Sequence, residues 1–205
     1  DSPTFPKKLP NFIQYTIIRA GGQVFWLSCG VAYGIVRNKS DGAGGRAIER
    51  IVKENYYLDI AETVLERSTC AREHVGALIV RNDEIIATGY NGAPRGRSNC
   101  IDLGYCIRQQ RKIPDGERYE ICRSVHAEAN AIISAARRDC IGGTMYLVGK
   151  DAGSGQISEN KPPCPLCRKM LINAGLSQLV VRGSDGKYEI YNVQDWVFDD
   201  DSLDL

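Results

Sequence analysis

Ile48, Ile51, Val52, Ile60, Val64 and Leu65 recur at the spacing of one helix face and predict a helix from about Ala47 through Arg67. The period then shortens. Residues 76–80 and 84–88 are short apolar runs that predict two strands, joined as a hairpin through Arg81, Asn82 and Asp83. A Gly-rich loop at 89–96 follows, and then an irregular stretch with few apolar residues reaches Arg123. Ser124 suits the N-cap of a helix over 125–138, whose Ala-rich run favours helix. Residues 144–148 predict a third strand and 178–182 a fourth. Between them a second helix opens at Pro163-Cys164-Pro165 and ends before Gly175, with proline at its start and glycine at its end. A hairpin followed by helix, strand, helix, strand is an α/β pattern: a mixed sheet with helices on its faces.

The two ends of the chain differ from this pattern. Residues 1–46 read as an N-terminal extension, 47–194 as the main domain and 195–205, with five Asp, as an acidic tail that frays. The chain begins at Asp1, as a fragment or a processed form would. Residues 20–36 are nearly all apolar or small, four of them Gly. They admit a signal-peptide core, a short membrane anchor, a β-rich appendage or translated non-coding sequence, although 17 positions are short for a spanning helix, which needs about 20. Residues 38–45 read as a linker.

Composition narrows the function. Apolar and charged fractions of 43% and 25% are those of a soluble globular domain. A net charge of +1 gives no support for a nucleic-acid-binding face, and leaves room for a small anionic substrate held by one or two local cations. Eight cysteines raise the alternative of a secreted disulfide scaffold. The length of the chain and the metal-like company of the cysteines favour reduced thiols in a cytoplasmic protein.

That company is specific. His126-Ala127-Glu128 is followed by Pro163-Cys164-Pro165-Leu166-Cys167. One imidazole and two thiolates are three zinc ligands, and three protein ligands leave a fourth position for water or substrate, as a catalytic zinc requires. Both halves fall where helices start, so the helix dipoles favour thiolate there. Glu128, two residues past the ligand His126, is free to move protons as a general acid and base. This H-x-E…P-C-x-x-C pattern is the signature of the zinc nucleobase deaminases. The competing reading is a closed structural zinc with Glu128 on the surface, in which that carboxylate has no task.

Cys70, Cys100, Cys106 and Cys122 form a second set. Four thiols converging on the edge of the hairpin would close a structural zinc and pin the irregular segment 92–123. The alternative is free thiols at coincidental spacing. Cys29 and Cys140 are expected to be unligated.

With these residues in hand, the chain resembles the deoxycytidylate (dCMP) deaminase family of the cytidine deaminase-like superfamily over about 56–182. The resemblance rests on Cys70-Ala-Arg-Glu-His-Val-Gly-Ala, on Gly89-Tyr90-Asn91-Gly92-Ala-Pro-Arg-Gly96, on the residues around His126, and on the Pro163–Cys167 and Ile172-Asn-Ala-Gly175 segments. It implies a three-layer α/β/α sandwich with a mixed five-stranded sheet. It implies conversion of dCMP and water to dUMP and ammonia, feeding thymidylate synthesis, with zinc on His126, Cys164 and Cys167 and Glu128 as proton shuttle. It implies substrate contacts at Asn91 and Ala127, and effector binding (dCTP or dTTP) around Gly89, Tyr90 and Gly92 in a homo-oligomer, a hexamer in regulated members. Some members carry a second, structural zinc, which strengthens the reading of Cys70 and Cys100. The resemblance leaves residues 1–50 without a counterpart, and a long loop at 149–161 beside the expected site. Arg95, Arg97, Arg108 and Arg123 are the candidate phosphate ligands.

The rival readings share the metal chemistry: a deaminase of free cytidine, of adenosine in transfer RNA, or of a riboflavin-pathway pyrimidine. From another class comes a non-catalytic zinc-stabilised accessory protein. Near-neutral charge counts against transfer RNA, and an intact Glu128 counts against the accessory protein.

Overall fold

The computed structural model describes residues 18–20, 23–25, 50–114, 116–158 and 162–198. The chain separates into two units, Asp1–Ile48 and Glu49–Leu205. In the first, β1 (Ile18–Ala20) and β2 (Gln23–Phe25) pair antiparallel, Ile18 opposite Phe25. The remainder of the apolar run at 20–36, Cys29 and the linker at 38–45 lie outside the described residues. Among the described residues no helix is long and apolar enough to cross a membrane.

In the second unit everything is arranged around β3 (Glu73–Arg81), whose residues 76–80 are all buried. Alternate side chains of a strand point to opposite faces. Leu78 and Val80 accordingly pack with Tyr57, Leu58, Ala61 and Leu65 of α1 (Lys53–Leu65). Ala77 and Ile79 pack on the other face with Ala127 and Ala131 of α4 (Ala127–Ser134) and with Leu171 and Ala174 of α6 (Pro165–Ala174). A strand covered on both faces reads as a continuous apolar run, as this one does.

β4 (Glu84–Tyr90) closes the hairpin, with Asn82 and Asp83 at φ 51° and 66° in the turn. This positive-φ pair suits the right-handed twist of the two strands. On the other side β3 pairs antiparallel with β5 (Thr144–Asp151), which runs parallel to β6 (Gln178–Arg182), which pairs antiparallel with β7 (Tyr188–Asn192). The order β4-β3-β5-β6-β7 with α1 on one face and α4 and α6 on the other is the expected three-layer α/β/α sandwich with a mixed five-stranded sheet. Two glycines let the helices lie close to the sheet. A Cβ at Gly76 would stand 2.1 Å from the carbonyl oxygen of Ala61, and one at Gly89 would stand 2.3 Å from both the carbonyl oxygen of Ala127 and the amide nitrogen of Ala131.

Several local expectations are corrected. The first helix begins at Lys53, and Ile51 and Val52 before it are exposed, because the buried stripe starts only at Tyr57. The helix expected over 125–138 is shorter. Val125 exchanges both main-chain hydrogen bonds with Gly92, at 2.8 and 3.1 Å, and so cannot join it. His126 is the N-cap in place of Ser124, and Ala135 is extended at φ −98°, ψ 156°, which separates α5 (Arg137–Cys140). The irregular segment contains two single turns, α2 (Cys100–Leu103) and α3 (Ile107–Gln110). The segment read as a fraying acidic tail starts with α7 (Asp195–Phe198), where Trp196 lies under the guanidinium of Arg168 at 5.6 Å. Residues 199–205 lie outside the described residues.

Candidate metal centre and active site

The first residues of α4 and α6 face one another at the C-terminal ends of the parallel pair β5 and β6, where ligands bind in open α/β sheets. His126 caps α4 and Cys164 caps α6, its sulfur accepting from the amide of Cys167 at 3.5 Å. Pro165 follows at the first helical position, where a missing N–H costs nothing. Nδ1 of His126 lies 3.5 Å from Sγ of Cys164 and 3.4 Å from Sγ of Cys167. Zinc bonds of about 2.0 Å to nitrogen and 2.3 Å to sulfur at the tetrahedral angle place such atoms about 3.6 Å apart. The three ligand atoms all lie within 4.8 Å of one another, and the set therefore fits a zinc ion through Nδ1 and two sulfurs.

The charges agree with that assignment. The Cys167 thiol donates to Cys164 and holds it as a thiolate, its pKa lowered to about 4, with His126 adding to the effect. Cys167 correspondingly keeps its proton, and its burial pushes the same way. The Cys164 thiolate raises the pKa of His126, with further contributions from Glu128 and Glu73. A bound divalent cation would take the place of these protons.

Glu128 is buried, 5% exposed, in the first turn of α4. Burial pushes its carboxyl above the ordinary carboxylate range. It lines a cavity of about 480 Å³ together with His126, Ala127, Asn91 and Cys164. His126, Ala127 and Glu128 of the one motif and Cys164 of the other thus converge on one pocket, with Leu147 and Gly149 of β5 and Val181 of β6 as its floor.

Other expectations land elsewhere. None of the four nominated arginines lines the cavity; Arg72 and Arg168 do. Arg108 is buried, donating to the main-chain oxygens of Glu117 and of Pro114 (2.6 Å), and Arg123 donates to that of Ser98 at 2.9 Å. The Arg108 guanidinium lies 4.7 Å over the ring of Tyr119, and that ring meets His126 edge to face at 5.1 Å. Tyr119, Arg72, Glu73 and Ser158 are cavity residues without a sequence signal, because strand register and loop return place them there. Gly89 is packed against α4. A Cβ at Gly92 would stand 2.5 Å from Oγ1 of Thr69, and the main-chain oxygen of Tyr90 accepts from Asn130 at 2.7 Å.

The second cysteine set is close but not closed. Cys70, Cys100 and Cys106 are buried and Cys122 half-buried. Burial, and then the neighbouring Cys70, pushes the Cys100 thiol up; burial also pushes Cys122 up, with Cys70 and Cys106 adding to it. Among the described residues their sulfurs do not form a group within 4.8 Å, as the His126 set does. Cys140 is buried in the core between α4, α6 and the sheet.

A His/Cys/Cys triad at two helix ends with a buried carboxyl beside it, in an α/β/α sandwich, defines a zinc-dependent hydrolytic enzyme. The family model for the cytidine and deoxycytidylate deaminase zinc-binding region matches residues 51–182, and the chain belongs to that family. It is 33% identical over 132 residues to the deoxycytidylate deaminase of Mycobacterium phage D29, covering 62% of this chain and 91% of the relative. It is 31% identical over 131 residues to the deoxycytidylate deaminase of Schizosaccharomyces pombe, but spans only 37% of that longer protein. A crystal structure of the dCMP deaminase from the cyanophage S-TIM5 aligns at 28% identity with a TM-score of 0.44, over 65% of this chain and 85% of that one.

Proposed function

We propose that this chain hydrolyses the exocyclic amine of dCMP, giving dUMP and ammonia. The observation that carries the reading is the buried Glu128 lining one cavity with His126 and Cys164, two members of the His126/Cys164/Cys167 triad. Zinc on that triad would supply Lewis acidity, making water a nucleophile near neutral pH. Glu128 takes a proton from the attacking water, delivers one to the ring nitrogen, and later protonates the leaving amine. Burial raises its pKa above that of an ordinary carboxylate, the direction that makes a carboxyl a better proton carrier. Ala127, the first residue of α4, has an amide without an intrahelical acceptor and lines the same cavity. Arg72 and Arg168 supply the cationic lining a monophosphate needs.

Ammonia release from dCMP, cytidine and dCTP, each with and without dCTP–Mg or dTTP as effector, tests the reading on zinc-replete protein. Turnover of dCMP is expected, and dCTP activation with dTTP inhibition would extend it to a regulated oligomer. Turnover of cytidine alone, or of no nucleotide, would overturn it.

The second cysteine set belongs to the same proposal. Closing of Cys70, Cys100, Cys106 and Cys122 on a structural zinc brings their sulfurs to about 3.8 Å from one another and offsets the burial of their charges. Metal analysis is expected to give two zinc ions per chain, falling to one in the Cys106→Ser/Cys122→Ser variant. One zinc ion in the wild type refutes the second site.

A further inference from the structure

Tyr119 lines the cavity and meets the imidazole of His126 edge to face, ring centroids 5.1 Å apart and planes at 88°. It is fixed from several sides. The guanidinium of Arg108 lies over its ring, 4.7 Å from the centroid. Its hydroxyl accepts from the amide of Gly116 at 3.3 Å. Just before it the chain passes through the left-handed region at Arg118, φ 48° and ψ 47°. That conformation is unfavourable for a residue other than glycine and persists where the surroundings hold it.

Arg108 is an unusual choice of support. It stands on the single turn α3 and is 1% exposed, and taking a charge out of water is unfavourable unless partners replace the water. Its partners are the main-chain oxygens of Glu117 and of Pro114 (2.6 Å) and the face of Tyr119, while its Nε has none among the described residues. A cation is held more strongly over an aromatic face away from water. The guanidinium thus ties Pro114, Glu117 and Tyr119 together, and the ring it carries is the one against His126.

A metal-ligating imidazole is ordinarily oriented by a hydrogen bond from its second nitrogen. In His126, Nδ1 faces the two sulfurs at 3.5 and 3.4 Å. Nε2 makes no hydrogen bond among the described residues, and Glu128 and Glu73 act on the ring through their charge. Rotation about the Cβ–Cγ bond would exchange Nδ1 for a ring carbon. An aromatic neighbour at right angles opposes that rotation.

We propose that Tyr119, carried by Arg108, is a positioning residue that holds the His126 imidazole with Nδ1 toward the metal. The inference rests on the triad as the zinc site and not on which nucleotide is deaminated.

The chain has two histidines, His74 and His126, and the second cysteine set contains neither. NMR of protein labelled at the histidine ring nitrogens therefore reads the catalytic site alone. Zinc is loaded and then withdrawn by a graded chelator while the His126 signals are followed. Wild type is expected to show one ring state, bound through Nδ1. Tyr119→Leu, outside both core clusters, is expected to fold, to show a second ring state and to release zinc about tenfold more easily. Tyr119→Phe, which keeps the ring, stays within about twofold of wild type. Arg108→Met is expected to lose about threefold by itself and nothing further in the Tyr119→Leu background, because it acts through the ring. Arg108→Lys takes its place if that protein does not fold. Tyr119→Leu protein with wild-type ring signals and zinc release would overturn the proposal, and a raised KM for dCMP in that same protein would make Tyr119 a substrate contact instead. A Tyr119→Phe protein as impaired as Tyr119→Leu also overturns it, since the hydroxyl and not the ring would then be the support. Zinc that leaves the His126 signals of wild type unmoved removes the triad as the zinc site and this inference with it.

Discussion

Glu128→Gln protein is expected to bind as much zinc as wild type and to deaminate dCMP about 10³- to 10⁴-fold more slowly, the upper range for loss of a general acid–base group. The two halves of that expectation come from different observations. Metal retention follows because the ligand atoms are Nδ1 of His126 and the sulfurs of Cys164 and Cys167, which already stand at tetrahedral spacing without a carboxylate. Loss of turnover follows because Gln has the shape of Glu but cannot carry a proton through the three transfers. Glu128 is 5% exposed, so bulk water has poor access to take over the task. Metal analysis and ammonia release on the same preparation separate the halves. A zinc-replete Glu128→Gln protein with wild-type turnover would remove Glu128 from the chemistry. A protein depleted of zinc would make it a ligand instead.

Glu128 was legible because its chemistry is local. A His, a Glu two residues on, and a Pro-Cys-x-x-Cys segment each sit at a helix start, and helix starts are written in neighbouring residues: Cys164 at the N-cap, Pro165 inside it, Gly175 at φ 79° at the far end. What depends on a distant partner was not legible. Val125 looks like helix until Gly92, far off in sequence, takes both of its main-chain groups. Arg108 looks like a phosphate ligand, yet its guanidinium is stacked on the ring of Tyr119 and holds the carbonyls of Pro114 and Glu117. Arg72 and Glu73 carry no local signal: Arg72 lines the cavity from just before β3, and Glu73 from the register of β3 against β5, where it stands opposite Asp151 and Val75 opposite Gly149. β7 escaped the periodicity too: Tyr188–Asn192 is half-buried to exposed throughout, without the apolar alternation that marks a strand facing a core. The resemblance supplied the fifth strand that the residue pattern did not.

Cys164→Ser is expected to abolish deamination entirely and to lose the catalytic zinc, while the domain still folds. The sulfur is both a ligand and the N-cap of α6, accepting from the amide of Cys167, and a serine oxygen can keep the second role but is a poor thiolate substitute for the first. The fold survives because the core cluster between α1 and the sheet forms without any residue of the metal cavity, and the cluster on the other face is held by aliphatic packing that does not need the ion. Removing zinc from wild type with a chelator should have the same effect on activity and lower Tm, because a ligand bound only by the folded state stabilises that state. The pH dependence has a definite sign. Without metal, Cys167 keeps its proton and His126 is more basic than an ordinary histidine, so zinc must displace protons to bind. Lowering pH through the neutral range then weakens zinc binding about tenfold per unit for each proton displaced. Titration of zinc into stripped protein in buffers of different ionisation enthalpy measures that proton count directly. A pH-independent affinity with no proton release would mean that the two sulfurs and the imidazole are not the ligands.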